Sequence, residues 1–175
     1  MKPRDAVVRP PPRRGIELRF VLGFCALATV FEFVFVGFID QTVWYERYLA
    51  LNAHGAEAIL NLCRVPAESM GSSLFLDSSV VAVKRGCDPT EPFVLFAIAA
   101  LLFPASRRRK ILGVIAAFLF LQALNLVRIA SLLLFHRYRP EFFLTAHLSV
   151  WPVAIIVFTL AGWILWALGG RASRG

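Results

Sequence analysis

Long apolar runs restrict the fold of this chain more than any other feature of its sequence. A helix needs about 20 apolar residues to cross the hydrocarbon core of a bilayer, where its backbone groups must bond within the segment. Four segments approach or exceed that length, at residues 20–39, 89–106, 111–135 and 142–168. The chain is 58% hydrophobic, which excludes an ordinary soluble domain. The sequence therefore predicts an all-α integral membrane protein with about four transmembrane helices.

The Lys and Arg residues cluster at the ends of these apolar runs. Segments 1–19, 107–110 and 171–174 carry six, four and two of the 19. Such clusters set membrane topology, whereas nucleic-acid binding favours a basic stripe interleaved with aromatic residues, which the sequence lacks. We expect the lipid bilayer, and no nucleic acid, as a partner. The positive-inside rule predicts a multi-pass protein with both termini cytoplasmic and residues 40–88 and 136–141 on the outer side of the membrane.

The composition divides the chain into a tail and one membrane domain. Residues 1–19 are basic and proline-rich, which predicts a disordered cytoplasmic tail. Residues 20–170 form the membrane domain, and its segment 40–88 is the one sizeable part outside the bilayer. Trp44, Tyr45 and Tyr48, at the start of that segment, are typical of interfacial anchors.

The rest of segment 40–88 shows two local patterns. Apolar residues at helical spacing predict an amphipathic helix lying on the membrane surface, with Leu49, Ala53, Ala56, Leu60 and Cys63 on its apolar face. Asn52 and Glu57 fall elsewhere on this helix. Two short apolar stretches then flank residues 77–79, which favours a short hairpin. Cys87 lies near the end of this segment and is therefore expected at the membrane surface.

Residues 84–92, Lys-Arg-Gly-Cys-Asp-Pro-Thr-Glu-Pro, make Cys87 a candidate nucleophile. Asp88 suits a helix N-cap, Pro89 the first helical position, and Glu91 the third, as in a capping box. A helix starting directly after Cys87 would place its positive end beside the sulfur, and such a position lowers the pKa of a thiol. Two alternatives remain open: Cys87 is a small buried hydrophobe, or it forms a disulfide with Cys63.

The predicted topology brings two further polar side chains to the same membrane depth. Arg128 lies 18 residues beyond Lys110, hence about 27 Å along the third span. Asn125 lies one turn below Arg128 on the same helical face, which favours an inward direction. His147 is near the outer start of the fourth span. The alternatives are that Arg128 snorkels to the headgroups and that His147 is an ordinary interfacial histidine.

Thiol acyl transfer is the chemistry that fits these residues. Cys87 would attack a peptide carbonyl, and His147 would act as base for the thiol and then as acid for the leaving amine. Arg128 would stabilise the thiolate or the developing oxyanion. Asn125 and Glu91 are the supporting residues. His136 lies in a basic turn and is interpreted as solvated. No ligand spacing supports a metal site, and we expect no cofactor.

The order of these motifs resembles that of the exosortase/archaeosortase family. The resemblance covers roughly residues 80–168 and rests on Gly86-Cys87, Asn125-Leu126-Val127-Arg128-Ile129 and Pro140-Glu141…Ala146-His147. It implies a multispanning cysteine protease or transpeptidase of the bacterial inner membrane, with Cys87, Arg128 and His147 as its catalytic residues and the active site facing the periplasm. The implied partners are membrane-anchored proteins that end in a short motif, a transmembrane helix and a basic tail. In size the chain is similar to the compact exosortase H type, which implies an Ile-Pro-Thr-Leu-like motif in the substrates.

Two other classes of function compete with this hypothesis. A non-enzymatic membrane assembly or transport subunit would use Arg128 as a structural polar contact. A redox protein would use Cys63 and Cys87 together. The three hypotheses differ in what they require of Cys87: a nucleophile, a packing residue, or half of a disulfide.

Overall fold

A computed structural model describes residues 14–172 as a helical bundle with a small sheet at one end. The helices are α1 (Arg14–Val34, continued by a π-helical turn over Phe35–Ile39), α2 (Val43–Leu62), α3 (Thr90–Leu102), α4 (Arg107–Tyr138), α5 (Pro140–Thr145, continued by a π-helical turn over Ala146–Val150) and α6 (Trp151–Ala172). The predicted tail is wrong for residues 14–19, because α1 begins at Arg14 and includes them. Residues 1–13 lie outside the described part.

The chain passes along the bundle four times. Helix α3 packs against α1, α4 and α6. At its C-terminal end Leu102 is the nearest neighbour of Gly23 in α1, and Phe103 meets Trp163 and Trp166 edge-on at centroid distances of 5.9 and 5.7 Å. The start of α1 and the end of α6 therefore lie beside the end of α3. Helices α1 and α4 run in one direction, and α3 and α6 in the other.

Three of these passages have the length and composition of membrane spans. They are Leu18–Ile39, Arg107–Tyr138 and Pro140–Gly169. Helix α3 has 13 residues, hence a length of about 20 Å against a hydrocarbon core of about 30 Å. It ends at Leu102 because Pro104 disfavours helical dihedrals at Phe103, whose ψ is 139°. The predicted span 89–106 is thus a shorter helix, and the count of four spans stays a prediction.

The predicted apolar face of helix α2 is confirmed, but this face packs against other parts of the protein. Leu49, Ala53, Ala56 and Leu60 are all buried, although Cys63, at the end of the pattern, is exposed. The buried face packs on α4 and on the sheet. The expectation that this face lies on the membrane surface is wrong, since protein covers it.

A three-stranded antiparallel sheet follows α2 in a protein that is otherwise helical, as the all-α prediction with a short hairpin expects. Its strands are β1 (Glu68–Met70), β2 (Ser73–Leu76) and β3 (Ser79–Ala82), in the order β1-β2-β3. The predicted hairpin around residues 77–79 is confirmed as β2–β3, and Asp77 turns it with a φ of 50°. Strand β1 was missed because Glu-Ser-Met has no apolar alternation. Buried side chains of the sheet, among them Leu74 and Leu76, join the core formed with α2 and α4.

A close approach of α4 and α6 gives a test of the packing far from the sheet. A Cβ added at Gly113 would overlap Nε1 of Trp166 and lie 2.7 Å from its Cδ1. A Cβ added at Gly162 would meet nothing within 4 Å. We expect Gly113→Ala to lower the free energy of unfolding by about 1–3 kcal/mol through overpacking. Gly162→Ala, the matched control, should be neutral or slightly stabilising because Ala favours a helix.

The measurement is the unfolding midpoint of each purified variant in one detergent, against wild type. Equal midpoints for Gly113→Ala and Gly162→Ala would contradict the described contact between α4 and Trp166.

Candidate active site

Cys87 sits on a turn between the sheet and α3. Its backbone N–H donates to the carbonyl oxygen of Lys84 at 2.8 Å, and Gly86 has a φ of +80°, as the third position of a type II turn requires. Arg85 fixes the turn by ion pairs to Asp40, at the end of α1 (3.4 Å), and to Glu91 (3.5 Å). Cys87 itself is half-buried and its thiol is free.

The start of α3 differs from the predicted capping box. The helix begins at Thr90, and the Asp88 carboxylate accepts the Thr90 N–H through Oδ2 at 3.0 Å. Glu91 does not reach back to the cap; its carboxylate pairs with Arg85 on the surface. The predicted helix N-terminus near Cys87 is therefore confirmed, but the anionic group that binds its free N–H is the carboxylate of Asp88.

Tyr45 is a buried partner of Asp88 and not an interfacial anchor. Its hydroxyl donates to Asp88 Oδ1 at 2.6 Å, and the ring is 6% exposed. Burial, together with the bond to Asp88 and the charge of that carboxylate, raises the pKa of Tyr45. Tyr48 is half-buried and donates to Gln122 at 3.1 Å, and burial raises its pKa as well. Of the three predicted anchors, only Trp44 is exposed.

A polar network joins α2 to α4 beside the site. Asn52 Oδ1 accepts from Gln122 Nε2 at 2.6 Å and from Asn125 Nδ2 at 3.1 Å. Asn52 and Asn125 are fully buried. The sequence correctly indicated that Asn125 faces inward, but Asn52 was placed on the wrong face of α2. Asn125 therefore fixes the position of α2 on α4.

Arg128 is buried one turn beyond Asn125. Its exposure is 4%, and among the residues described here no carboxylate forms an ion pair with it. Its Nε is buried and finds no hydrogen-bond acceptor within that same part of the chain. The next residue, Ile129, and Leu132 one turn further line the same cavity as Cys87 and His147. A buried charge that lacks a direct partner is costly, so such a residue indicates a site for an anionic group.

His147 lies on the π-helical turn that continues α5. Pro152 has no N–H to donate to Leu148 and its ring crowds that carbonyl, so the chain ahead of it widens to a π turn, in which Trp151 N–H reaches Ala146 O. The start of α6 is tied to α4 by a hydrogen bond from Trp151 Nε1 to Ser131 Oγ at 3.0 Å. The Nδ1 atom of His147 is buried and has no partner among residues 14–172. Single π turns of this kind are frequent at functional sites.

Cys87 and His147 line one cavity of about 400 Å³. Its walls are β3 with the turn after it, the last third of α4, and the start of the α5–α6 segment. His136 also lines it, and its ring lies 5.0 Å from that of Phe143, which stacks on His147 at 5.8 Å. The interpretation of His136 as a solvated turn residue is thus wrong: it is half-buried in the cavity wall.

The structure places two of the five predicted site residues, Cys87 and His147, in one cavity. A third, Arg128, is buried directly before Ile129, which lines that cavity. Asn125 belongs to the network with α2, and Glu91 to the surface pair with Arg85. Within the described residues no three His, Cys, Asp or Glu side chains are grouped as a metal ion would require.

Sequence reasoning missed the residues that act through tertiary contacts, namely Tyr45, Asn52, Asp88 as a partner of Tyr45, and His136. Only Asn52 carried a usable signal: it lies three residues after Leu49 and four before Ala56, so helical spacing places it on the apolar face.

Apolar helices with a cysteine, an arginine and a histidine at one end of their bundle define a membrane protein with a candidate thiol site. The family model of the transmembrane exosortases (Exosortase_EpsH) matches residues 13–167. The chain belongs to that family, which confirms the resemblance found in the motifs and extends it to α1 and α2. Neither the search of the curated proteins nor that of the solved structures gave a match.

The contact between Tyr45 and Asp88 generates a test of how the site is held. Tyr45→Phe removes one of the donors of a buried carboxylate, which should lower the free energy of unfolding by about 1–3 kcal/mol. Tyr48→Phe is the matched control: its hydroxyl bonds a neutral amide at longer range, so about 1 kcal/mol or less is expected.

Chemical unfolding of both variants in the same detergent provides the comparison. If Tyr48→Phe lowered the free energy of unfolding as much as Tyr45→Phe, the hydrogen bond to the Asp88 carboxylate would contribute no more to stability than the bond to Gln122.

Proposed function

We propose that this chain is a membrane-embedded cysteine peptidase or transpeptidase that cleaves proteins at a C-terminal sorting signal. The observation that carries the proposal is Arg128, a buried cation that no described carboxylate pairs with and that directly precedes Ile129 in the wall of the cavity shared by Cys87 and His147. Membership of the exosortase family supports the sorting-related activity.

The proposed reaction begins at the Cys87 thiol. His147 takes the thiol proton, and the thiolate attacks the carbonyl carbon of the scissile peptide bond. The tetrahedral intermediate collapses when the C–N bond breaks, and His147 gives the proton to the leaving amine. A thioester remains on Cys87, and water or an amine then attacks it, releasing the thiol and the hydrolysed or transferred product.

Arg128 supplies the electrostatic part of this mechanism. The positive end of α3 is already engaged by the Asp88 carboxylate, so it is less available to an anion on Cys87. A thiolate or an oxyanion in the cavity would give Arg128 the partner that the free protein lacks, and such stabilisation is strong where water is excluded.

The direction of the site in the membrane follows from the basic residues. Arg107, Arg108, Arg109 and Lys110 stand at the start of α4, at the end of the bundle opposite Cys87. If that end is cytoplasmic, as the positive-inside rule requires, the cavity opens toward the periplasm. The proposed substrates are membrane-anchored proteins whose C-terminal motif precedes a transmembrane helix and a basic tail.

Loss of one thiol tests whether this is a cysteine enzyme. The reporter is an epitope-tagged exported protein of the same genome that ends in a short motif, an apolar span and an Arg-rich tail. We expect Cys87→Ala to abolish its cleavage, because no other described group replaces the nucleophile. Cys63→Ala, the matched control, should cleave normally, since Cys63 is exposed and free.

The readout is the mass shift of the reporter on a blot, with enzyme levels matched. Cleavage that survives Cys87→Ala would end the nucleophile hypothesis, and loss with both variants would point to a disulfide.

Substitution of Arg128 separates a catalytic cation from a structural one. For Arg128→Gln we expect cleavage to fall by about 10²–10³, as for the loss of one oxyanion donor. The free energy of unfolding should hold or rise, because the variant removes a buried charge without a direct partner. A non-enzymatic subunit that uses Arg128 as a structural contact predicts the opposite pair of results.

The measurements are reporter cleavage and the unfolding midpoint in detergent, made on the same preparation. A destabilised variant with unchanged cleavage would favour the structural role.

A further inference from the structure

The edge of strand β3 runs along the cavity that holds Cys87. Val80, Val81, Ala82 and Val83 all line that cavity, followed by Lys84, Arg85 and Cys87. Successive side chains of a strand point to opposite faces of the sheet. A cavity that four consecutive residues line must therefore follow the edge of the strand, where the backbone is accessible, and not one of its faces.

The backbone of β3 has polar groups directed to this edge. Among residues 14–172, strand β3 pairs only with β2, so its other side is a sheet edge. Val83 N–H donates to Ser72 O at 2.8 Å, and the register places these two residues opposite each other. Because hydrogen-bonded and non-bonded pairs alternate in an antiparallel ladder, the N–H and C=O groups of Val80 and Ala82 point away from β2.

These groups are left without partners in the described protein. Within residues 14–172, neither Val80 nor Ala82 makes a backbone hydrogen bond beyond the sheet. Both residues are exposed, Val80 by 46%. Ser-Val-Val-Ala contains no proline or charge, the usual devices that prevent an edge strand from pairing with another chain.

We infer that the substrate binds as an added strand on the β3 edge, in an extended conformation that brings its scissile carbonyl to Cys87. This rests on the proposed peptidase function and specifies how the peptide is held. Main-chain hydrogen bonds to Val80 and Ala82 would supply affinity, and the alternate side chains of the peptide would supply specificity. An extended segment also exposes the carbonyl that a helix would keep in its own hydrogen bonds.

The residues that line the cavity indicate which peptide sequences can bind in it. Ile129, Leu132 and Phe143 face the strand edge with apolar surface. Lys84 contributes positive charge at the end of β3, whereas Arg85 is paired with Asp40 and Glu91. No carboxylate is among the lining residues. The bound segment is accordingly apolar, neutral or acidic, and free of Lys and Arg beside the scissile bond.

A proline at position 82 tests the backbone contact. Ala82→Pro deletes an N–H directed at the edge and leaves the β2–β3 ladder bonds in place. We expect cleavage of the tagged reporter to fall by about tenfold or more, as for a lost hydrogen bond. Alkylation of Cys87 by iodoacetamide, in a Cys25→Ser, Cys63→Ser background, should be unchanged. Ala82→Val keeps the N–H, so its loss of cleavage should be smaller than that of Ala82→Pro.

Disulfide mapping gives a second test that does not require the proline variant to fold. Single cysteines at Val80→Cys and Ala82→Cys, in a chain without Cys25, Cys63 and Cys87, are cross-linked to reporters with one cysteine moved along the segment before the apolar span. Strand addition predicts cross-links at alternate reporter positions, shifted by two residues between the two variants. Met70→Cys, an exposed position on the opposite edge, is the control.

Wild-type cleavage by Ala82→Pro would overturn the inference. So would cross-links spaced by three or four residues, or equal yields from Met70→Cys. Failure of the proposed function is a separate result: cleavage that survives Cys87→Ala would reject the peptidase, whereas the alternate cross-links would still show strand addition.

Discussion

The hydrogen bonds of Asn52 to α4 are the contact on which the candidate site depends. They hold α2 against the middle of α4, and the sheet packs on the surface that these two helices form together. The turn that carries Cys87 leaves the last strand of that sheet. One buried amide thus fixes the helix pair that supports both the turn with Cys87 and Arg128. Lipid-facing apolar packing could not do this, since it provides no directional bond.

Much of this arrangement is contained in simple patterns of the sequence. The length of the apolar runs identifies α1, α4 and the α5–α6 segment, because the thickness of a bilayer is a fixed physical scale. Helical spacing identifies the buried face of α2. Counting residues from Lys110 puts Arg128 near the end of the bundle where Cys87 and His147 are also found, because a helix has a constant rise per residue.

The remainder depends on contacts between segments that are distant in the chain. Tyr45 looked like an interfacial aromatic, and only its approach to Asp88 across 43 residues makes it a buried donor. His136 looked solvated because its neighbours Arg137 and Arg139 are exposed, yet the fold turns its ring toward Phe143. Strand β1 exists because β2 offers it a partner, not because of its own three residues. Local sequence patterns contain no information about such contacts between distant residues.

The shortness of α3 has a consequence for water at the site. A helix of about 20 Å leaves roughly 10 Å of a hydrocarbon layer of about 30 Å without helical chain. Since α3 packs against α1, α4 and α6, the turn with Cys87 ahead of it is bordered by protein and by the cavity. If these helices cross the bilayer, a thioester on Cys87 would meet water below the mean plane of the headgroups, because non-helical backbone is tolerated at that depth only within protein or beside water.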